Sequence, residues 1–367
     1  MEEGLAVTTT VAIAGFCAGL VFGATAQRTN FCTMGALSDI VFMGDHGRMR
    51  AWMLAIAVAV IGTQTLHAFG VIDVYQSIYL TGILGWFGAL AGGLLFGFGM
   101  TLAGGCGNKT LVRIGGGNLK SFIVFLIMGI VAYMTLRGLT GLLRVQIETL
   151  TSINLAERGI TSQGLADIGA VWFGFSRETL RWILVCVMAG GLLFYCFKDA
   201  GFRRSPTNLA AGLIVGLLVC SGWWITGVLG FDDFEPVPLT SFTFVSPSGE
   251  SIQYLMIFTG ATISFGIAAV GGVIAGSFLM AMATRSFHLE SFANTDDLLR
   301  NISGAVLMGF GGVLAMGCTI GQGITGMSTL SIASLIALLA ILAGGLLGLK
   351  YLEENSLLGA VKAVFAR

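Results

Sequence analysis

Apolar stretches long enough to cross a bilayer recur along this chain, and its charged residues fall mostly between them. Leu5 to Ala26 holds no Asp, Glu, Lys or Arg, and further apolar runs follow at 51–70, 82–105, 119–137, 181–197, 209–229, 251–283, 302–317 and 327–348. A helix rising 1.5 Å per residue needs about 20 residues to cross about 30 Å of hydrocarbon. The pattern predicts an all-α, polytopic membrane protein. With 55% hydrophobic and 10% charged residues, the chain has too little polar surface for a water-soluble domain of this size.

Several function classes fall away. The 19 basic and 19 acidic residues balance, and no Lys/Arg run forms a nucleic-acid stripe. Seven cysteines without a CxxC and only three histidines argue against a metal site, and no cofactor motif is present. The odd cysteine count argues against a complete disulfide framework. Gly115-Gly116-Gly117-Asn118-Leu119-Lys120 lacks the spacing of a nucleotide-binding loop. Met1-Glu2-Glu3-Gly4 lacks the basic start of a cleaved signal peptide, so the first apolar run is expected to remain as a span.

Positive residues in short loops favour the cytoplasmic side. The loops at 44–50, 198–204 and 285–300 are therefore expected inside. The acidic, proline-rich stretch 231–250, with Asp232, Asp233, Glu235 and Glu250, is expected outside as an extended loop. Phe31 to Met43 is too short to span and reads as a helix that enters and leaves on one side. Its Asp39 is either a buried coupling group or an interfacial cap. Residues 140–178 read as interfacial helices, and 251–283 as one long span, tilted or broken near Gly271-Gly272. Ser205-Pro206 marks the boundary between two halves, 1–204 and 205–367.

Those halves are suggested by a repeat. Gly97-Phe98-Gly99-Met100-Thr101-Leu102-Ala103-Gly104-Gly105-Cys106 returns, gap-free, as Gly309-Phe310-Gly311-Gly312-Val313-Leu314-Ala315-Met316-Gly317-Cys318. Counting spans places the copies in opposite orientations, as in an inverted repeat with its site near the midplane. Helices that stop there expose backbone amides or carbonyls needing a polar partner. Gly105, Gly107, Gly317, Gly321 and Gly323 let the backbone approach a solute. Asn108, Thr110 and Gln322 can add hydrogen bonds, while Arg28, Lys109 and Arg113 favour an anion at one entrance. Cys106 and Cys318 are marked by the repeat, and Cys32 by its setting beside Arg28, Thr29 and Asn30. The other four cysteines read as buried apolar residues.

The motifs Gln27-Arg28-Thr29-Asn30-Phe31-Cys32, Gly97 to Thr110 with Arg113 and Gly117-Asn118-Leu119, and Gly309 to Thr329 resemble the YeeE/YedE family of sulfur-compound transporters over nearly the whole chain. The resemblance implies a bacterial inner-membrane protein that imports thiosulfate for cysteine synthesis. It implies membrane helices plus short re-entrant helices forming an hourglass-like pathway, with Cys32, Cys106 and Cys318 along it. It also implies a separate soluble sulfur carrier of the TusA type as a partner in some relatives, and no fused carrier is expected after the last span. On this reading neutral thiols and backbone amides hand the anion along, and no catalytic residue is needed. Two rival readings stand beside it: a membrane sulfurtransferase forming a cysteine persulfide, and a membrane anchor for a sulfur carrier.

Overall fold

The computed structural model describes residues 6–232, 237–354 and 356–365. Asp233, Glu235 and Pro236 of the acidic stretch, the first four residues and Arg367 lie outside the described residues. The first helices are α1 (Val7–Thr29), α2 (Thr33–Ser38), α3 (Gly47–Ala68), α4 (Trp86–Leu102), α5 (Gly107–Gly115) and α6 (Leu119–Arg137). Next come α7 (Leu139–Thr151), α8 (Leu165–Phe173), α9 (Arg177–Lys198), α10 (Ala200–Arg203) and α11 (Pro206–Trp224). The chain ends with α12 (Val245–Met256), α13 (Phe265–Ala283), α14 (Thr295–Leu314), α15 (Ile332–Glu354) and α16 (Leu357–Phe365). The only sheet among the described residues pairs β1 (Ile83–Leu84) with β2 (Ile153–Asn154), antiparallel. Eight helical stretches among the described residues are long and apolar enough to cross a membrane.

Packing is reciprocal between the front and back of the chain. α1 lies along α13 and α3 along α11; α4 lies along α15 and α6 along α14, with α4 and α14 meeting between them. In lipid no hydrophobic drive brings helices together, so close approach rests on small residues and dispersion contacts. The basic loops gather at one end. Arg50 reaches Asp199 at 3.3 Å, and Lys120 bridges Glu290 and Asp297 at 3.3 and 3.0 Å.

The two cysteine repeats share backbone conformation as well as sequence. α4 ends with Gly105 N–H donating to Met100 O, and α14 with Gly317 N–H donating to Gly312 O, each a bond spanning five residues that closes the helix end. The residues in the left-handed region, Gly104 (φ 69°) and Met316 (φ 56°), fall at the same place in the repeat. Gly117 (φ 95°) and Leu330 (φ 60°) then turn the chain out of each copy.

Three expectations change. The 251–283 run breaks at 257–264, while α13 passes unbroken through Gly271-Gly272, because Gly272 is where α13 packs closely on α1. α14 starts at Thr295, inside the stretch read as polar; Asn294 caps it by accepting from Asp297 N–H, and Asp296 and Asp297 suit a helix start. From Leu239 onward the acidic stretch is not an external loop, for Phe242, Phe244, Val245, Pro247 and Ser248 are buried. Phe242 and Phe244 pack on Phe22 with ring centroids 5.5 and 5.2 Å away, and Phe242 meets Phe265 at 5.4 Å. The extended backbone stays paired, since Thr226 binds Thr240 on both its N–H and its carbonyl and Thr325 donates to Phe242 O.

Candidate functional site

Each of Cys32, Cys106 and Cys318 immediately precedes a short helix. Cys32 is the N-cap of α2 and Cys106 the N-cap of α5, both with extended backbone. Cys318 opens the helical turn at 319–328, whose middle, Gly321–Gly326, is π-helical. In all three the amide three residues on turns back to the sulfur: Gly35 to Cys32, Lys109 to Cys106, and Gly321 N–H to Cys318 Sγ at 3.4 Å. Such amides have no partner within their own helix, and sulfur is a weak acceptor. They remain available to a stronger one.

The thiols are buried, at 3% exposure for Cys32 and 0% for Cys106 and Cys318. Cys32 Sγ and Cys106 Sγ stand 3.7 Å apart, and the Cys106 thiol donates to Asn108 Oδ1. Thr319, the residue after Cys318, lies against the Cys106 thiol. Its hydroxyl makes no hydrogen bond of good geometry, so contact rather than a bond joins the two repeats here.

Four buried polar atoms without partners belong to residues close to these cysteines in the chain, namely Thr33 Oγ1, Asn108 Nδ2, Thr319 Oγ1 and Gln322 Oε1. An unpaired buried polar group costs about 1–3 kcal/mol. Three of the four can donate, which suits an oxyanion.

Cys32 also lines a cavity of about 580 Å³ at the basic end of the molecule, together with Asn30, Arg48, Lys109, Arg113 and Asn118. Arg48 is held by a bidentate pair with Asp39, whose carboxylate is buried. Lys109 and Arg113 have only neutral hydrogen-bond acceptors, Asn30 Oδ1 at 2.9 Å and Gly104 O at 2.8 Å, while the carboxylates that line the same cavity, Glu290 and Asp297, pair with Lys120 and Arg300. Asp39→Asn is expected to cost about 3 kcal/mol, since the guanidinium then loses its carboxylate. Thermal unfolding in detergent checks this, and an unmoved midpoint would show that the pair contributes nothing.

The remaining sequence candidates separate. Gly105 and Gly317 close α4 and α14, Gly107 opens α5, and Gly321 and Gly323 lie in the π-helical turn. Gln322 ties that turn to the end of α14 by donating to Ala315 O at 2.5 Å. The Thr110 hydroxyl is committed to Cys106 O at 3.1 Å. Arg28 does not line the basic cavity; it borders a groove between α1 and α11 with Thr25, Pro206 and Thr207.

Four residues at the site escape a reading by motif. Thr33 and Thr319 share the dipeptide Cys-Thr at Cys32-Thr33 and Cys318-Thr319, a signal the sequence does offer. Thr243 follows Phe242 as Cys32 follows Phe31, and it stands against Gly321, where a Cβ would lie 2.5 Å from its Oγ1. Tyr79 is buried near Cys318, and burial pushes its phenol above the ordinary range, keeping it a neutral donor. Nothing in the sequence around Tyr79 points to it.

The chain matches the family described as Sulphur transport over residues 28–347. It is 30% identical over 329 residues to the thiosulfate transporter TsuA of Escherichia coli K12, covering 85% of this chain and 86% of that protein. It is 25% identical over 350 residues to the thiosulfate transporter TsuA of Spirochaeta thermophila, covering 90% and 96%. An all-α, multi-spanning architecture with this match over most of its length is that of a bacterial inner-membrane transporter. The chain belongs to the sulphur transport family, the YeeE/YedE group.

Proposed function

We propose that this protein takes up thiosulfate along a narrow central route on which Cys32, Cys106 and Cys318 meet the anion in turn. The observation that carries the reading is the repeated local geometry of three cysteines, each heading a short helix with the amide three residues on turned to its sulfur. Neutral thiols and amide N–H groups donate to a dianion without a fixed full charge to trap it, so the ion can leave as well as enter. Asn108, Thr33 and Thr319 replace water around its oxygens, at the positions now lacking partners. Lys109 and Arg113 draw the anion toward, or receive it in, the basic cavity.

The two halves, 1–204 and 205–367, are on this reading an inverted repeat, with α2, α5 and the turn at 319–328 as re-entrant pieces that narrow an hourglass. What supports it is the reciprocal helix pairing and the matching left-handed stops. Thr243 then takes in the second half the place of Cys32 in the first.

Purified protein in sealed vesicles is expected to accumulate labelled thiosulfate above protein-free vesicles, and sulfate, which lacks the terminal sulfur, much less. Equal accumulation of the two would remove the role of the thiols, and no accumulation of either would remove transport of these anions altogether.

A further inference from the structure

Two buried thiols in contact can react with one another. Cys32 Sγ and Cys106 Sγ are 3.7 Å apart and both are free. A disulfide requires about 2 Å between sulfurs, and side-chain torsion can supply the difference, because each cysteine lies in extended backbone ahead of its helix rather than within it. We infer that Cys32 and Cys106 form a modification site for anionic S–S electrophiles, of which tetrathionate is the simplest, and that the resulting disulfide closes the route.

Access decides the order of events. Cys32 lines the basic cavity and Cys106 does not. The Cys32 thiolate attacks a central sulfur of tetrathionate, forming Cys32–S–S–SO3⁻ and releasing one thiosulfate. The Cys106 thiolate then attacks Cys32 Sγ, forming the Cys32–Cys106 disulfide and releasing a second thiosulfate. Two protons leave the thiols; the cysteines lose two electrons and tetrathionate gains them. Lys109 and Arg113, neither of them bonded to a carboxylate, favour a dianionic reagent over a neutral disulfide of similar size.

The modification rests on the thiol geometry, and only its effect on flux rests on the transport reading. Full-length protein treated with tetrathionate is expected to yield a Cys32–Cys106 linked peptide, lost on reduction, with vesicle flux falling to background and returning with the reductant. The Cys106→Ser variant is expected to hold an S2O3 adduct on Cys32, while in Cys32→Ser residue 106 stays unmodified. The reaction should run about tenfold faster than with neutral 2-hydroxyethyl disulfide, and Lys109→Gln should narrow that ratio. Both thiols remaining alkylatable after treatment overturns the inference and leaves the transport reading standing. A linked peptide with undiminished flux keeps the modification site and removes these cysteines from the route.

Discussion

Alanine at Cys106 is expected to lower thiosulfate flux in vesicles about tenfold to hundredfold while leaving the protein folded. The factor follows from hydrogen bonds to charged groups, which contribute about 1.5–3 kcal/mol each. Cys106 is fully buried, contacts Cys32 and Thr319, and donates to Asn108, so its loss removes both a thiol donor and the side chain at which the two repeats touch. Stability should fall by no more than about 1–3 kcal/mol, because one small side chain is removed and the buried Asn108 Oδ1 loses its donor. Cys106→Ser keeps a donor and is expected to recover part of the flux. Cys196→Ala is the control; that thiol is also buried, but it donates to Arg50 O, away from the other sulfurs. Equal flux in Cys106→Ala and the unmodified protein would sink the cysteine route.

The second large effect concerns folding. Gly15, Gly19 and Gly23 on α1 face Phe265, Ala269 and Val273 on α13, and Gly272 and Gly276 on α13 face Phe16 and Leu20 on α1. The backbones touch along the seam, and a Cβ at Gly276 would lie 2.0 Å from Leu20 O. Backbone cannot step aside as a side chain can. Gly276→Val is therefore expected to destabilise by more than about 4 kcal/mol and to yield no monodisperse protein in detergent. Gly191→Ala on α9, where nothing lies within 4 Å of the added carbon, should stay within about 1 kcal/mol of the starting protein. A folded, stable Gly276→Val protein would mean that α1 and α13 are not packed as closely as described.

Local signals were sound where hydrophobicity acts residue by residue. Leu5 to Ala26, 51–70 and 327–348 correspond to α1, α3 and α15, and each cysteine repeat coincides with a helix end. Signals failed where a residue's meaning depended on its neighbours in space. Gly271-Gly272 looked like a break, yet a glycine at a helix seam strengthens packing instead of interrupting it. Pro236, Pro238 and Pro247 beside acidic residues looked like an outside loop, but two phenylalanines draw the later part of that stretch into the protein, and threonine side chains complete its backbone hydrogen bonds.

The order of residues alone determined the membrane class, most of the helical spans and the two equivalent thiol positions, because apolar length and repeated sequence need no partner to be read. The tertiary structure alone decided that Cys32 touches Cys106, that Thr319 reaches the same thiol, and that Arg28 stands apart from Lys109 and Arg113. Those relations join residues on separate helices, and in a bilayer which helices adjoin is settled by the fit of small residues across a seam, a property that no single helix contains.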